Sequence, residues 1–156
     1  MASVSGQPAI LFVCLGNICR SPMAEGAMRA ELAARGLGWE VDSAGTSDWH
    51  IGKAPDPRAI AEAARRGVDI AGLQARQAVP EDFRRFTHVF ALDDTNLADL
   101  RSIAPADGTA QLGLLLDVVP GHEGRAVADP YYGDELGFAQ TWDQVSLAAR
   151  RLAETL

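Results

Sequence analysis

Hydrophobic positions along this chain follow two rhythms that alternate from one end to the other. One short apolar run, "AILFVCL" (9–15), is continuous and β-rich, which predicts a strand buried on both faces. "WEVDSAG" (39–45), "THVFALD" (87–93) and "QLGLLL" (111–116) read as three further strands. Between them the apolar positions take helical spacing. In "SPMAEGAMRAELAARG", Ala24, Met28 and Leu32 recur at i, i+4 and i+8, while Glu25 sits four before Arg29 on another face. Ser21 is the predicted N-cap of that helix, Pro22 its first position and Gly36 its stop. "DPRAIAEAARRGVD" repeats the grammar, with Asp56 as cap, Pro57 in the first turn and Gly67 as terminator. "DTNLADLRSI" reads as a further helix capped by Asp93. A long loop, "DVVPGHEGRAVADPYYGDE", then precedes a terminal helix from Leu136 onward.

Strand–helix alternation of this kind predicts an α/β fold in three layers, a parallel sheet with right-handed crossovers and helices on both faces. Ligands of such sheets bind beyond the carboxyl ends of the strands, at the switch in strand order. With 156 residues, no repeats and no linker-like stretch, one domain spanning 1–156 is expected. A formal charge of −7 argues against a nucleic-acid partner, which calls for a basic face. No apolar run approaches the ~18 residues of a membrane span, and the first residues do not read as a secretory signal. A cytoplasmic location is expected, where thiols stay reduced.

That expectation bears on "FVCLGNICRSPMAE" (12–25), which holds both cysteines of the chain. A reactive thiolate, a metal half-site, a disulfide and plain apolar filling compete to explain them. Cys14 and Cys19 with three scattered histidines (His50, His88, His122) lack metal-ligand spacing, so no metal site is expected. Cys14 ends a predicted buried strand, and Arg20 follows it as C-x5-R. Gly16 and Asn17 tolerate left-handed backbone and let successive amides turn inward into an anion nest. The helix beginning at Ser21 adds its positive end, and Arg20 can grip a tetrahedral oxyanion with two prongs. A sulfur at the floor of that cradle is favoured as thiolate. A packing cysteine needs none of these neighbours.

"VCLGNICRSP" resembles the active-site signature of the low-molecular-weight protein tyrosine phosphatases. "DSAGTSDWHIGKAPDPRA", "ARQ" (75–77), "FTHVFALDDTNL" and "DPYYG" (129–133) look like that family in its usual order, so the likeness covers essentially the whole chain. The resemblance implies a four-stranded parallel sheet in flavodoxin-like 2-1-3-4 order. It implies Cys14 as nucleophile of a phosphocysteine intermediate, with Arg20 and the loop of Leu15, Gly16, Asn17, Ile18, Cys19 and Ser21 binding phosphate. Asp129 would be the general acid and then the base. Ser21 would donate to the Cys14 sulfur, and Asn17 would fix the loop with Ser43 as partner. Trp49, Tyr131 and Tyr132 would wall an aryl slot, and Cys19 could form a reversible disulfide with the nucleophile. No cofactor is implied. The implied partners are phosphotyrosine proteins, a bacterial tyrosine kinase among the candidates, with inorganic phosphate as product.

One position departs from the pattern: family members often carry histidine before "xARQ", where this chain has Leu73, so the brace of the loop must differ. Three rival functions remain. Thioredoxin-coupled arsenate reduction needs further cysteines downstream, and this chain has none beyond Cys19. Protein-arginine phosphatases resemble "CTGNTCRS" and DPF, against Ile18 and Tyr131 here. A non-catalytic phosphate or redox sensor would need neither the thiolate nor a proton donor.

Overall fold

The computed structural model describes residues 6–131 and 133–156. Four strands, β1 (Ala9–Cys14), β2 (Glu40–Gly45), β3 (His88–Ala91) and β4 (Gln111–Leu114), pair in parallel in the order β2-β1-β3-β4. This is the sheet implied by the resemblance. Among the described residues five α-helices accompany the sheet: α1 (Arg20–Arg35), α2 (Pro57–Arg65), α3 (Asp82–Arg85) and α4 (Asp94–Ile103) between strands, and α5 (Glu135–Thr155) after the last.

β1 shows why its run is apolar without interruption. Side chains alternate across a strand, so Ile10, Phe12 and Cys14 face one side and Ala9, Leu11 and Val13 the other. The first set packs with Met23 and Met28 of α1 and with Phe138 and Trp142 of α5. The second packs with Phe83 and Phe86 beneath, and with Leu97 and Leu100 of α4. Truncating a side chain such as Phe12, 1% exposed, would cost ~3–5 kcal/mol.

Several local expectations need correction. Ser21 is not the cap of α1: the helix begins at Arg20, Cys19 occupies the cap position, and no side chain caps it. The inward pull of the site on Ser21 outweighs its capping preference. Residues 20–28 are buried all round, so Glu25 pairs with Arg29 as its spacing implies, but from a buried position. β4 ends at Leu114, because Leu115–Val118 turn into a 3-10 helix that buries Leu115 and Leu116. The short helix α3 carries too few residues to show a period. Asp56 and Asp93 do cap α2 and α4, accepting from the amides of Arg58 and Asn96. Among the described residues, no helix is long and apolar enough to cross a membrane.

Candidate active site

The loop from Cys14 to Arg20 leaves the carboxyl end of β1, between β2 and β3, and enters α1. Its carbonyls are taken from outside. Thr46 N donates to Cys14 O at 2.9 Å, Ser47 N to Leu15 O at 3.0 Å and Asp56 N to Ile18 O at 2.8 Å. In a trans peptide the amide points opposite the carbonyl. The N–H groups of Leu15, Gly16 and Cys19 therefore face away from those partners, toward the hollow of the loop. Asn17 has φ 58°, the left-handed turn expected for it, and its amide donates to Cys14 Sγ at 3.3 Å. Gly16 is needed for a different reason from the one expected. Its φ is not positive, but a Cβ there would lie 2.9 Å from His50 Cδ2. At Gly45 a Cβ would come within 2.7 Å of Leu15 O, so the end of β2 must be bare where the loop crosses it.

Behind the loop runs a buried chain of hydrogen bonds. Asn17 Nδ2 donates to Ser21 Oγ at 2.8 Å and to Ser43 Oγ at 3.0 Å. Ser43 donates onward to Glu25 Oε1 at 2.7 Å, and Arg29 Nε meets Glu25 Oε2 at 2.8 Å. Burial raises the Glu25 carboxyl above its ordinary range, opposed by the Ser43 and Arg29 hydrogen bonds. Asn17 Oδ1 accepts from Arg76 N at 3.0 Å, and the Arg76 side chain is clamped by Asp42 and Asp82. With Leu73 packed against the core, the brace runs through Glu25, Ser43 and Arg76. Ser21 Oγ, already accepting from Asn17, lies 3.0 Å from Cys14 Sγ and 3.4 Å from Ala44 O. Its single proton can thus serve the sulfur.

Arg20 is fixed by the cap of α4 and by the loop before α5. Its Nη1 donates to Asp93 Oδ2 at 2.7 Å and to Val127 O at 3.2 Å, and Nη2 lies 3.7 Å from Asp129 Oδ2. Burial acts to lower its pKa, but the Cys14 sulfur and the Asp93 and Asp129 carboxylates outweigh that, so the guanidinium stays charged. Cys19 is pushed far above the ordinary thiol range, first by burial and then by Asp56, Cys14 and Asp129, against Arg58. It is a protonated thiol, and both cysteines are free.

These groups open into one cavity of about 290 Å³. Cys14 and Arg20 lie at its floor with Leu15, Gly16, Ile18 and Cys19, and Asp129, Trp49, His50 and Tyr131 line the rest. Asn17, Ser21 and Ser43 lie behind it as support. Tyr132 lies outside the described residues. Asp129 is exposed, with 45% of its side chain accessible. A tetrahedral oxyanion with an apolar ring attached fits such a cavity: donors and a guanidinium below, aromatic faces above.

Residues 9–156 match the model of the family described as low molecular weight phosphotyrosine protein phosphatase. The chain belongs to that family. It is a hydrolytic phosphatase, and its relatives match over most of its length. One is low molecular weight phosphotyrosine protein phosphatase 2 of Drosophila melanogaster, 43% identical over 153 residues, 96% of this chain and 93% of that protein. The crystal structure of YfkJ from Bacillus subtilis superposes with a TM-score of 0.89 at 35% identity, covering 98% of this chain and 96% of that one. The crystal structure of DARP, a drosophila arginine phosphatase, gives 0.88 at 31% identity, covering 94% and 96%.

Two features of this phosphatase escaped the sequence reading. Asp93 was legible as a helix cap, but one carboxylate does two jobs: Oδ1 takes the Asn96 amide at 2.7 Å and Oδ2 takes Arg20. His50 lacked any signal beyond standing next to Trp49. Its packing on Gly16 appears only when the loop after β2 folds over the cradle.

Proposed function

We propose that this phosphatase hydrolyses phosphotyrosine in proteins, and small aryl phosphates, through a phosphocysteine intermediate on Cys14. The loop amides and Arg20 hold the three non-bridging oxygens, with electrostatic support that grows as charge shifts onto them. The Cys14 thiolate attacks phosphorus in line. The P–S bond forms as the bond to the aryl oxygen breaks, and Asp129 passes its proton to that oxygen. The phenol leaves along the wall made by Trp49 and Tyr131. Asp129, now ionised, takes a proton from water; the resulting hydroxide attacks phosphorus, the P–S bond breaks and inorganic phosphate is released. The returning thiolate is stabilised by the Ser21 hydroxyl and the Asn17 amide.

The observation that carries this reading is the setting of Cys14 Sγ, 3.0 Å from Ser21 Oγ and 3.3 Å from Asn17 N at the floor of the cavity that Asp129 overlooks. A second reading, dephosphorylation of protein arginine, draws on the likeness to DARP. Ile18 and Tyr131 in the cavity lining favour the flat apolar ring over a guanidino group. Phosphotyrosine-bearing proteins, a bacterial tyrosine kinase among them, are the proposed substrates, in a cytoplasm that keeps Cys14 and Cys19 reduced. Turnover of phosphotyrosine and phosphoarginine peptides, measured side by side in chelator, tests the assignment. Preference for phosphotyrosine, lost by ~10⁴-fold or more in Cys14→Ser, is expected. Preference for phosphoarginine, or an active Cys14→Ser variant, would overturn it.

A further inference from the structure

We propose that Arg58 is a positioning residue that buckles the Asp129 segment to the phosphate loop and so aims the acid; this rests on the reading of Asp129 as proton donor. The α2 start is tied to the phosphate loop, because Asp56 N donates to Ile18 O at 2.8 Å. The Asp56 carboxylate grips Arg58 from one edge: Oδ1 accepts from Nε at 3.1 Å and Oδ2 from Nη2 at 3.0 Å. The guanidinium then spends its other protons on the acid segment. Nη2 donates to Tyr131 O at 2.9 Å and Nη1 to Gly133 O at 3.2 Å. Its carbon stands 4.7 Å from the Phe138 ring centroid, which fixes the plane of the fork.

The link to Asp129 is direct. Tyr131 N donates to Asp129 Oδ1 at 3.1 Å, so the residue whose carbonyl Arg58 holds also orients the carboxylate. Two residues before Asp129, Val127 is held by Leu92 O at 2.8 Å and by Arg20. Ala128, next to Asp129, is tied to α5, its N donating to Gln144 Oε1 at 3.2 Å and its O accepting from Thr141 Oγ1 at 3.0 Å. Asp129 is thus held from the N-terminal side by Val127 and Ala128, and from the C-terminal side by the Tyr131 backbone that Arg58 grips. With nearly half its side chain accessible, packing alone does not aim it. The hydrogen bonds of the Arg58 guanidinium go to Asp56, Tyr131 and Gly133 and not to the cradle floor or the sulfur, so its main effect should fall on proton transfer.

A leaving-group series separates that role from a merely structural one. In Arg58→Met, which keeps the apolar stem and the backbone amide that Asp56 caps, kcat/KM for phenyl phosphate should fall ~10-fold. For p-nitrophenyl phosphate, whose leaving group scarcely needs the proton, it should fall less than ~3-fold. Inhibition by inorganic phosphate should stay within ~2-fold, since the cradle is untouched. Arg58→Lys, which can reach one carbonyl but cannot bracket Asp56 as well, should lie between the two and carries the test if the Met variant fails to fold. Asp129→Ala must steepen the same series, and Arg58→Met placed on top of it should steepen it no further. If Asp129→Ala leaves the series flat, the acid assignment is wrong. If Asp129→Ala steepens it while Arg58→Met and Arg58→Lys slow both esters equally, the buckle is wrong.

Discussion

The phosphate loop and the segment carrying Asp129 meet across one cavity, but they are held in opposite ways. In the loop Asn17, Arg20 and Ser21 are buried, and each makes several hydrogen bonds to groups that are themselves fixed. The acid segment is exposed at Ala128, Asp129, Tyr131 and Gly133, and hangs from bonds at Val127, Ala128, Tyr131 and Gly133. A ring of dipoles stabilises a developing charge only if it need not reorganise, so the cradle is built into the core. A proton donor must admit the ester, release the phenol and then meet water, so its segment is left at the surface with a few fasteners.

The sharpest way to break that contrast is to remove the acid. Asp129→Ala should lower kcat ~10²–10⁴-fold while leaving both the inhibition by inorganic phosphate and the melting temperature near their starting values. A large loss of phosphate affinity would mean that the segment belongs to the cradle after all.

Asn17→Ala probes the other side. It leaves the Arg76 amide without its acceptor, takes the Asn17 donor from the Ser21 and Ser43 hydroxyls and places alanine at φ 58°. A cost of ~2–3 kcal/mol in denaturant unfolding is expected, together with weaker phosphate inhibition. Unchanged stability would show that the loop does not depend on its brace. A smaller effect belongs to Trp49, 67% exposed at the mouth. Trp49→Ala should raise KM for aryl phosphates by the ~3–10-fold that a lost aromatic contact is worth, with kcat unchanged. A fall in kcat instead would place Trp49 in the chemical step.

The smallest expected effect is on pH dependence. Burial raises the Glu25 carboxyl above its ordinary value of 4.5, so the folded state binds that proton more tightly than the unfolded chain. The stability this contributes is complete below pH 4.5 and is lost as pH rises through the higher folded value. Unfolding free energy measured across that window should slope downward in the parent and flatten in Glu25→Gln. A slope of the opposite sign in the parent would mean that Arg29 outweighs burial.

Much of the fold was legible because β1 carries its evidence locally. Six consecutive apolar residues can be satisfied only with cover on both faces, and the Ser-Pro and Asp-Pro signals mark where the chain turns into helix. The strand order and the gathering of Cys14, Arg20, Asp129, Trp49 and Tyr131 came from the family signature, since no local pattern joins residue 20 to residue 129. Illegible were contacts that depend on side-chain direction. Ser21 reads as a cap from its neighbours, yet it turns to the sulfur. Glu25 reads as the partner of Arg29, and it is, but nothing showed that it is buried and also reaches Ser43. Asp56 and Asp93 each announced a helix start and Arg58 carried no signal of its own, and nothing in their spacing revealed the further duty of each carboxylate or guanidinium.

The central claim, that the phosphoryl group rests on Cys14 between two separately served steps, can be read directly in the Asp129→Asn enzyme. A good leaving group such as p-nitrophenolate departs without much help from an acid, whereas water attacking phosphocysteine needs the base that this variant lacks. Acid-quenched after a few seconds with p-nitrophenyl phosphate, it should carry a thiophosphate resonance in the ³¹P spectrum, mapped to the peptide containing Cys14. No phosphoenzyme under these conditions, or a phosphoryl group on any other residue, would contradict the account.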